Sequence, residues 1–214
     1  MLDFGFYNMD CMQGMKEFPD KYFDLAIVDP PYRDKNQPTQ HMRRNEHESK
    51  HCMDDFGAKP SGDYFAELFR VSKNQIIWGG NNFELPPHKG FVIWEKCIPE
   101  GLKYSQAEYA YLSEGLGTLS RIFTYRCQGG KRIHPTQKPV ALYEWLLSRY
   151  AQEGDVILDT HVGSASSLIA CHNKSHKYVG FEIDQEYYRL AKERLDQETA
   201  QYTLFDFGFN PYQE

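Results

Sequence analysis

The stretch FDLAIVDPPY, residues 23 to 32, ends an apolar run in a carboxylate, two prolines and an aromatic ring. Six residues rich in Phe, Ile and Val predict a buried strand over Phe23–Val28. The prolines fix their φ angles and donate no N–H, so the Pro30 carbonyl is held stiffly. One oxygen of Asp29 and that carbonyl can accept the two hydrogens of an –NH2 group, and Tyr32 offers a ring to stack on a flat heterocycle. This suits an aromatic amine, whose nitrogen lone pair is delocalised and therefore a poor nucleophile. Two acceptors favour a pyramidal nitrogen and aim its lone pair at an electrophile. Asp29 need not be a strong base, because the proton can leave after the new bond forms. An isolated Asp-Pro-Pro would fit a plain turn closing a strand; the apolar run and Tyr32 favour the chemical reading.

Two further strand ends carry polar groups. In GDVILDTHVGSASSLIACHN, residues 154 to 173, a strand stops at Asp159 and a loop of small residues, Gly163, Ser164 and Ala165, enters a helix. Small residues let backbone approach a ligand, and a helix N-terminus offers free N–H groups to a carboxylate. In YVGFEIDQ, residues 178 to 185, Glu182 lies 23 positions after Asp159, near the spacing at which an acid holds a ribose diol. A full G-x-G-x-x-G is absent, which argues against a dinucleotide. S-adenosylmethionine (SAM), with adenine, ribose and an amino-acid tail, fits the pair of sites.

Positioning these ends takes a sheet. Strands are predicted at Gly5–Asn8, Phe23–Val28, Gln75–Trp78, Phe91–Trp94, Ala107–Leu112, Val156–Leu158 and Lys177–Phe181. Helices are predicted at Gly62–Val71, Val140–Ala151, Ser166–Asn173 and Gln185–Glu198, the last with Asp184 as N-cap. Their alternation implies an α/β fold with a mostly parallel sheet covered on both faces, with ligands beyond the carboxyl ends of the strands. The 214 residues, 41% apolar and 25% charged, allow one catalytic domain over 1–200 and a 201–214 tail. Residues 34–60 read as one long polar loop on the target side, of a length that is usually functional or mobile. Residues 95–135 are a candidate small DNA-recognition region.

Five scattered cysteines without C-x-x-C fit free thiols in a reducing, cytoplasmic setting. No run reaches membrane-spanning length. The net charge is −6, yet five Lys/Arg and one His without an acid lie between Arg121 and Pro139, and residues 33–51 are also basic-rich. Such local faces can hold phosphates whatever the total charge.

The order of these motifs resembles that of the amino-group (N6-adenine/N4-cytosine) DNA methyltransferases, in the circularly permuted beta group. DPPY precedes the Asp159 loop, HPTQKP (residues 134 to 139) leads into it, and YNMDCMQGM opens the chain. The resemblance covers nearly the whole chain to about residue 200. It implies a Rossmann-like, seven-stranded SAM-dependent methyltransferase and restriction–modification-type DNA methylation. Asp29, Pro30, Pro31 and Tyr32 would form the catalytic pocket. Asp159, Gly163 and Ser164 would line the methionine part of the cofactor, Glu182 its ribose, and Asp10 and Cys11 its adenine. His134, Thr136 and Lys138 would close the tail pocket, with Lys138 near the cofactor's carboxylate. Where the family usually reads D-P-F-x-G-S-G-T-T, this chain has Thr160, His161, Ala165 and Ser166 in place of Pro, Phe, Gly and Thr. The Ala165 methyl is expected to weaken cofactor binding without abolishing it.

A DPPY motif leans toward adenine N6 in flipped-out, double-stranded DNA; SPPY is more often the look of cytosine N4 enzymes, and NPPY that of RNA or protein-amide enzymes. A catalytically silent DNA-binding subunit, acting as monomer or homodimer like an active one, is the reading from another class. Three smaller signals remain. HESKHC, residues 47 to 52, could be a zinc site but lacks a fourth ligand. WGGNNF, residues 78 to 83, reads as a turn. Gln201, Leu204 and Phe205 resemble the Q-x-x-L-F peptides that dock on sliding clamps, though the favoured reading of the 201–207 tail is that Leu204, Phe205 and Phe207 fold back onto the domain.

Overall fold

A computed structural model of the chain describes residues 1–32, 59–102, 104–126 and 132–206, the last with side chains to residue 200. The 33–51 basic stretch, HESKHC and the core of the 34–60 loop lie outside the described residues.

Eight strands form one sheet: β1 (Gly5–Asn8), β2 (Phe23–Val28), β3 (Ser72–Trp78), β4 (Phe91–Glu95), β5 (Ala107–Leu112), β6 (Arg121–Thr124), β7 (Val156–Asp159) and β8 (Lys177–Glu182). Their order is β1-β8-β7-β2-β3-β5-β4-β6. Only β5 runs against its neighbours β3 and β4; every other pairing is parallel. The helices are α1 (Cys11–Lys16), α2 (Gly62–Val71), α3 (Val140–Tyr150), α4 (Ser166–Asn173) and α5 (Gln185–Asp206).

The parallel strands are apolar on both faces, as a sheet covered on both sides requires. Leu25 and Ile27 of β2 pack with Trp78, Val92 and the α3 residues Leu142, Leu146 and Leu147. Ala26 and Val28, pointing the other way, pack with Phe65, Leu68 and Val71 of α2 and with Met15 of α1. Behind the Asp159 loop, Leu168 and Ile169 of α4 meet Ala191 and Leu195 of α5.

The expected seven strands are present, and β6 makes an eighth. It is four residues long, mostly exposed, and falls where the residues read as a basic stretch, so no apolar alternation announced it. It is an edge strand paired only with β4, Ile93 opposite Ile122. The six-residue α1 is too short for a periodic signal and was also missed. Its start is set by Asp10, whose side chain accepts from the Met12 and Gln13 backbone N–H groups. Asp184 caps α5 as expected, accepting from Glu186 and Tyr187 N–H.

The tail was expected after the last helix. Instead α5 runs into it as far as Asp206, so the backbone of Gln201–Phe205 is helical throughout. Its side chains, and residues 207–214, lie outside the described ones. Among the described residues no helix is long and apolar enough to cross a membrane.

Candidate active site

The sheet order places the chosen strand ends side by side. The chain enters at the edge strand β1, and β2 lies inside the sheet, with β3 on one side and β7, β8 and β1 on the other. Ala26 pairs with Leu158, Asp159 with Gly180, and Asn8 with Glu182. Asp29, Asp159, Glu182 and Asp10 therefore leave the sheet along one edge, at the switch point where doubly wound sheets bind ligands.

Asp29 is largely buried, and its two oxygens differ. Oδ2 accepts from the Lys138 ammonium. Oδ1 is buried and accepts no hydrogen bond among the described residues. Burial raises the Asp29 pKa, and the Lys138 charge pulls it back. Lys138 is only 4% exposed. Its Nζ also lies 3.1 Å from Glu108 Oε2 and 5.3 Å from the centre of the Trp78 ring. Burial disfavours that ammonium, but Asp29 and Glu108 hold it protonated. Glu108 in turn meets Lys96 at 2.5 Å. Two acids and two bases thus form a charge-balanced chain, buried at Lys138 and Asp29 and partly exposed at Glu108 and Lys96.

Lys138 is where the structure departs most from the sequence reading. It was counted with the exposed basic stretch and placed at the cofactor's carboxylate. Here it is buried and bound to Asp29, leaving Arg121, Arg126 and Arg132 as the exposed bases among that segment's described residues. Glu108 was not singled out at all. Its signal was an acid sharing the face of Ala110 and Leu112, which are core residues: an acid on a core-facing position of a strand requires a partner.

Tyr32 sits across Gly79. A Cβ built on Gly79 would come within 2.5 Å of the Tyr32 ring, and Gly79 has φ +65°. The WGGNNF segment is the expected turn, with the Asn82 side chain donating to the Gly79 carbonyl at 2.9 Å. It also forms the floor under the stacking ring. Gly79→Ala therefore meets a left-handed backbone costing about 1–2 kcal/mol and a ring that must move. On the stacking role that the resemblance implies for Tyr32, methyl transfer is expected to fall about tenfold or more, with cofactor affinity unchanged; steady-state kinetics and calorimetry check this.

At the second strand end, Asp159 is 3% exposed. It accepts from the Ser167 hydroxyl and from His161 N–H at 2.9 Å. Burial, with Asp29 and Glu182 nearby, pushes its carboxyl up to about 7. Glu182 accepts from Gly163 N–H at 2.9 Å and Asp184 N–H at 3.0 Å, and burial raises it too. Gly163 has φ +55°, and its missing side chain leaves the His134 ring 3.4 Å from where a Cβ would stand. Burial, then Lys138, pushes His134 down to about 4, so the ring is neutral at pH 7. Its Nδ1 takes the Thr136 N–H at 3.3 Å. Ser164 is buried, its carbonyl held by Arg194 of α5 at 2.7 Å. Cys11 is half-buried and pushed up to about 12, by burial and then Asp10.

The departures from the family's loop have local explanations. Ala165 carries φ +62°, but its methyl is fully buried among Val162, Leu168 and Ile169. The methyl therefore packs into the core behind the loop. The Thr160 hydroxyl bonds the Tyr64 hydroxyl at 2.6 Å and His161 Nδ1 at 2.9 Å. A small polar network thus stands where the family has Pro and Phe.

A family model described as DNA methylase matches residues 91–193, which include Glu108, Lys138, Asp159 and Glu182 but not Asp29. The chain is 43% identical over 72 residues to the type II methyltransferase M.HpaI of Haemophilus parainfluenzae, a match covering 34% of this chain and 23% of that protein. It is 25% identical over 206 residues to the putative methylase YubD of Escherichia coli, covering 89% of each. Among solved structures, the M1.HpyAVI–SAM complex matches at TM-score 0.58 and 20% identity, over 88% of this chain and 98% of that one. The PvuII DNA methyltransferase, cytosine-N4-specific, matches at 0.58 and 11%, over 92% and 91%.

The fold is the Rossmann-like one of the SAM-dependent methyltransferases, with eight strands here. Over residues 91–193 the chain matches the DNA methylase family model, and in fold it is similar to the M1.HpyAVI and PvuII structures.

Proposed function

We propose that the chain transfers a methyl group from SAM to the N6 of an adenine flipped out of double-stranded DNA. The observation that carries this is Asp29: one carboxylate oxygen held by Lys138, the other buried and unpartnered among the described residues, at the head of Asp-Pro-Pro-Tyr. Oδ1 and the Pro30 carbonyl accept the two amino hydrogens, and Tyr32 stacks on the base.

The residues at the second strand end suit the proposed cofactor. Asp159 and Glu182 carry pKa values raised by burial, so the site favours a ligand with positive charge. SAM, when bound, supplies a methyl group on a cationic sulfur. The amino nitrogen forms the new N–C bond as the S–C bond breaks, its electron pair staying on sulfur, and the nitrogen then loses one proton. Asp29 holds the departing hydrogen but need not take it before the bond forms.

Flipping a base costs a few kcal/mol. Stacking on Tyr32 returns about 1–3 kcal/mol, and a hydrogen bond to a charged acceptor about 1.5–3, so a duplex target is reachable. Asp in place of Ser ahead of the prolines supports adenine over cytosine. The intact Asp29 cluster speaks against a silent subunit.

Mass spectrometry of nucleosides from DNA treated with the protein and SAM tests the reading. N6-methyladenine is the expected product; N4-methylcytosine or unmodified DNA would refute it. Because Asp159 must ionise to meet a cation, SAM binding is expected to tighten with pH. With the carboxyl near 7, calorimetry should give a dissociation constant about tenfold weaker at pH 6 than at pH 8.

A further inference from the structure

We propose that Lys138 and Glu108 are positioning residues for Asp29: the ammonium, shared between the two carboxylates, occupies Oδ2 and so presents Oδ1 alone to the amino group. This deepens the reading above and rests on it.

Gripping an –NH2 group between Oδ1 and the Pro30 carbonyl requires a carboxylate that is ionised and cannot rotate. A buried carboxylate with two equivalent oxygens satisfies neither condition, since burial favours its neutral form and either oxygen could turn inward. Lys138 meets both. It binds Oδ2, it supplies the opposite charge, and its own reach is limited because Glu108 holds it from the other side at 3.1 Å and Trp78 lies under it. Glu108 is fixed by its place on β5, opposite Trp94, and by Lys96 at 2.5 Å. The positioning therefore runs from the partly exposed Lys96–Glu108 pair, through a buried ammonium, to the oxygen that meets the base.

Other ionisable groups share the space around Asp29. Tyr32 comes from its own segment and Tyr64 from α2. Lys96 follows β4, Glu108 is on β5, Tyr143 is on α3, and Asp159 ends β7. Of the cations among them, Lys138 alone bonds the carboxylate. Glu108 acts on Asp29 in the opposite sense, as a like charge. The two substitutions must therefore move Asp29 in opposite directions, which a merely structural role for either residue would not do.

The test is the titration of the Asp29 carboxyl by carbon-13 NMR in the full chain, its signal assigned by its loss in Asp29→Asn. Lys138→Met should raise the midpoint by at least about one pH unit, since burial is then unopposed. Glu108→Gln, which keeps the size and an acceptor for Lys138, should lower it. In kinetics, the acid limb of the rate should move the same two ways. Lys138→Met should lose kcat most at the acid end of the profile and recover as pH rises. Midpoints that stay put, or that move together, overturn the proposal. If Lys138→Met does not fold, the sign of the Glu108→Gln shift decides. Opposed midpoint shifts in a chain that methylates nothing would leave this positioning standing and remove the reaction; methylation with unmoved midpoints would do the reverse.

Discussion

Asp29→Ala should lose methyl transfer, with kcat down by at least about 10³-fold, while SAM binding survives. The protein should also become less stable, which an isolated catalytic carboxylate would not cause. Removing one member of a buried ion pair strands the other, at about 3–5 kcal/mol. Here Glu108 still neutralises Lys138, which puts the cost near the low end and lowers Tm by about 6–12 °C. Asp29→Asn should show the same kinetic loss with a smaller drop in Tm, because the amide oxygen still accepts from the ammonium. Methyl-transfer assays, calorimetry with SAM and thermal melts on both variants check this. Retained activity in either variant would remove the role assigned to Asp29.

Asp159→Asn should do the opposite to stability. The folded carboxyl titrates near 7, against 3.8 ordinarily. A group raised in this way binds its proton more tightly folded than unfolded. Its contribution is fully present below pH 4 and is lost as pH climbs through 7. The wild type should therefore weaken between pH 4 and pH 7 by at most about 4 kcal/mol from this group. Asn has no charge to bury, and its amide can still accept from His161 N–H and donate to the Ser167 hydroxyl. The variant should gain little at pH 4 and most of that difference at pH 8. Its SAM affinity should fall, because the anion opposite the cationic ligand is gone. Higher Tm with weaker binding at pH 8 marks a charge kept for function at the expense of stability. Melts at pH 4, 6 and 8 that run parallel for the two proteins would show that Asp159 is not the titrating group.

Much of this arrangement is local, and local features are written in the chain. The apolar run Phe23–Val28, the two prolines after Asp29, the small-residue loop after Asp159 and the Asp184 cap each act within a few residues. Composition and period alone placed seven strands and four helices, and put the ligand at the carboxyl ends. What was missed locally was short: β6 at four residues and α1 at six leave no period to detect.

The charges were a different matter. Lys138 and Asp29 are 109 positions apart, and only the order β7-β2-β3-β5 brings the α3 entry, β2 and β5 together. A lysine in a basic stretch and a glutamate in a strand look like solvated side chains until the fold takes their water away. Desolvation is a property of the assembled sheet and helices, and it turns four ordinary residues into one coupled cluster. The sequence by itself determined which atoms stand at the strand ends; the tertiary structure decided which of them are charged, paired and left open to a base.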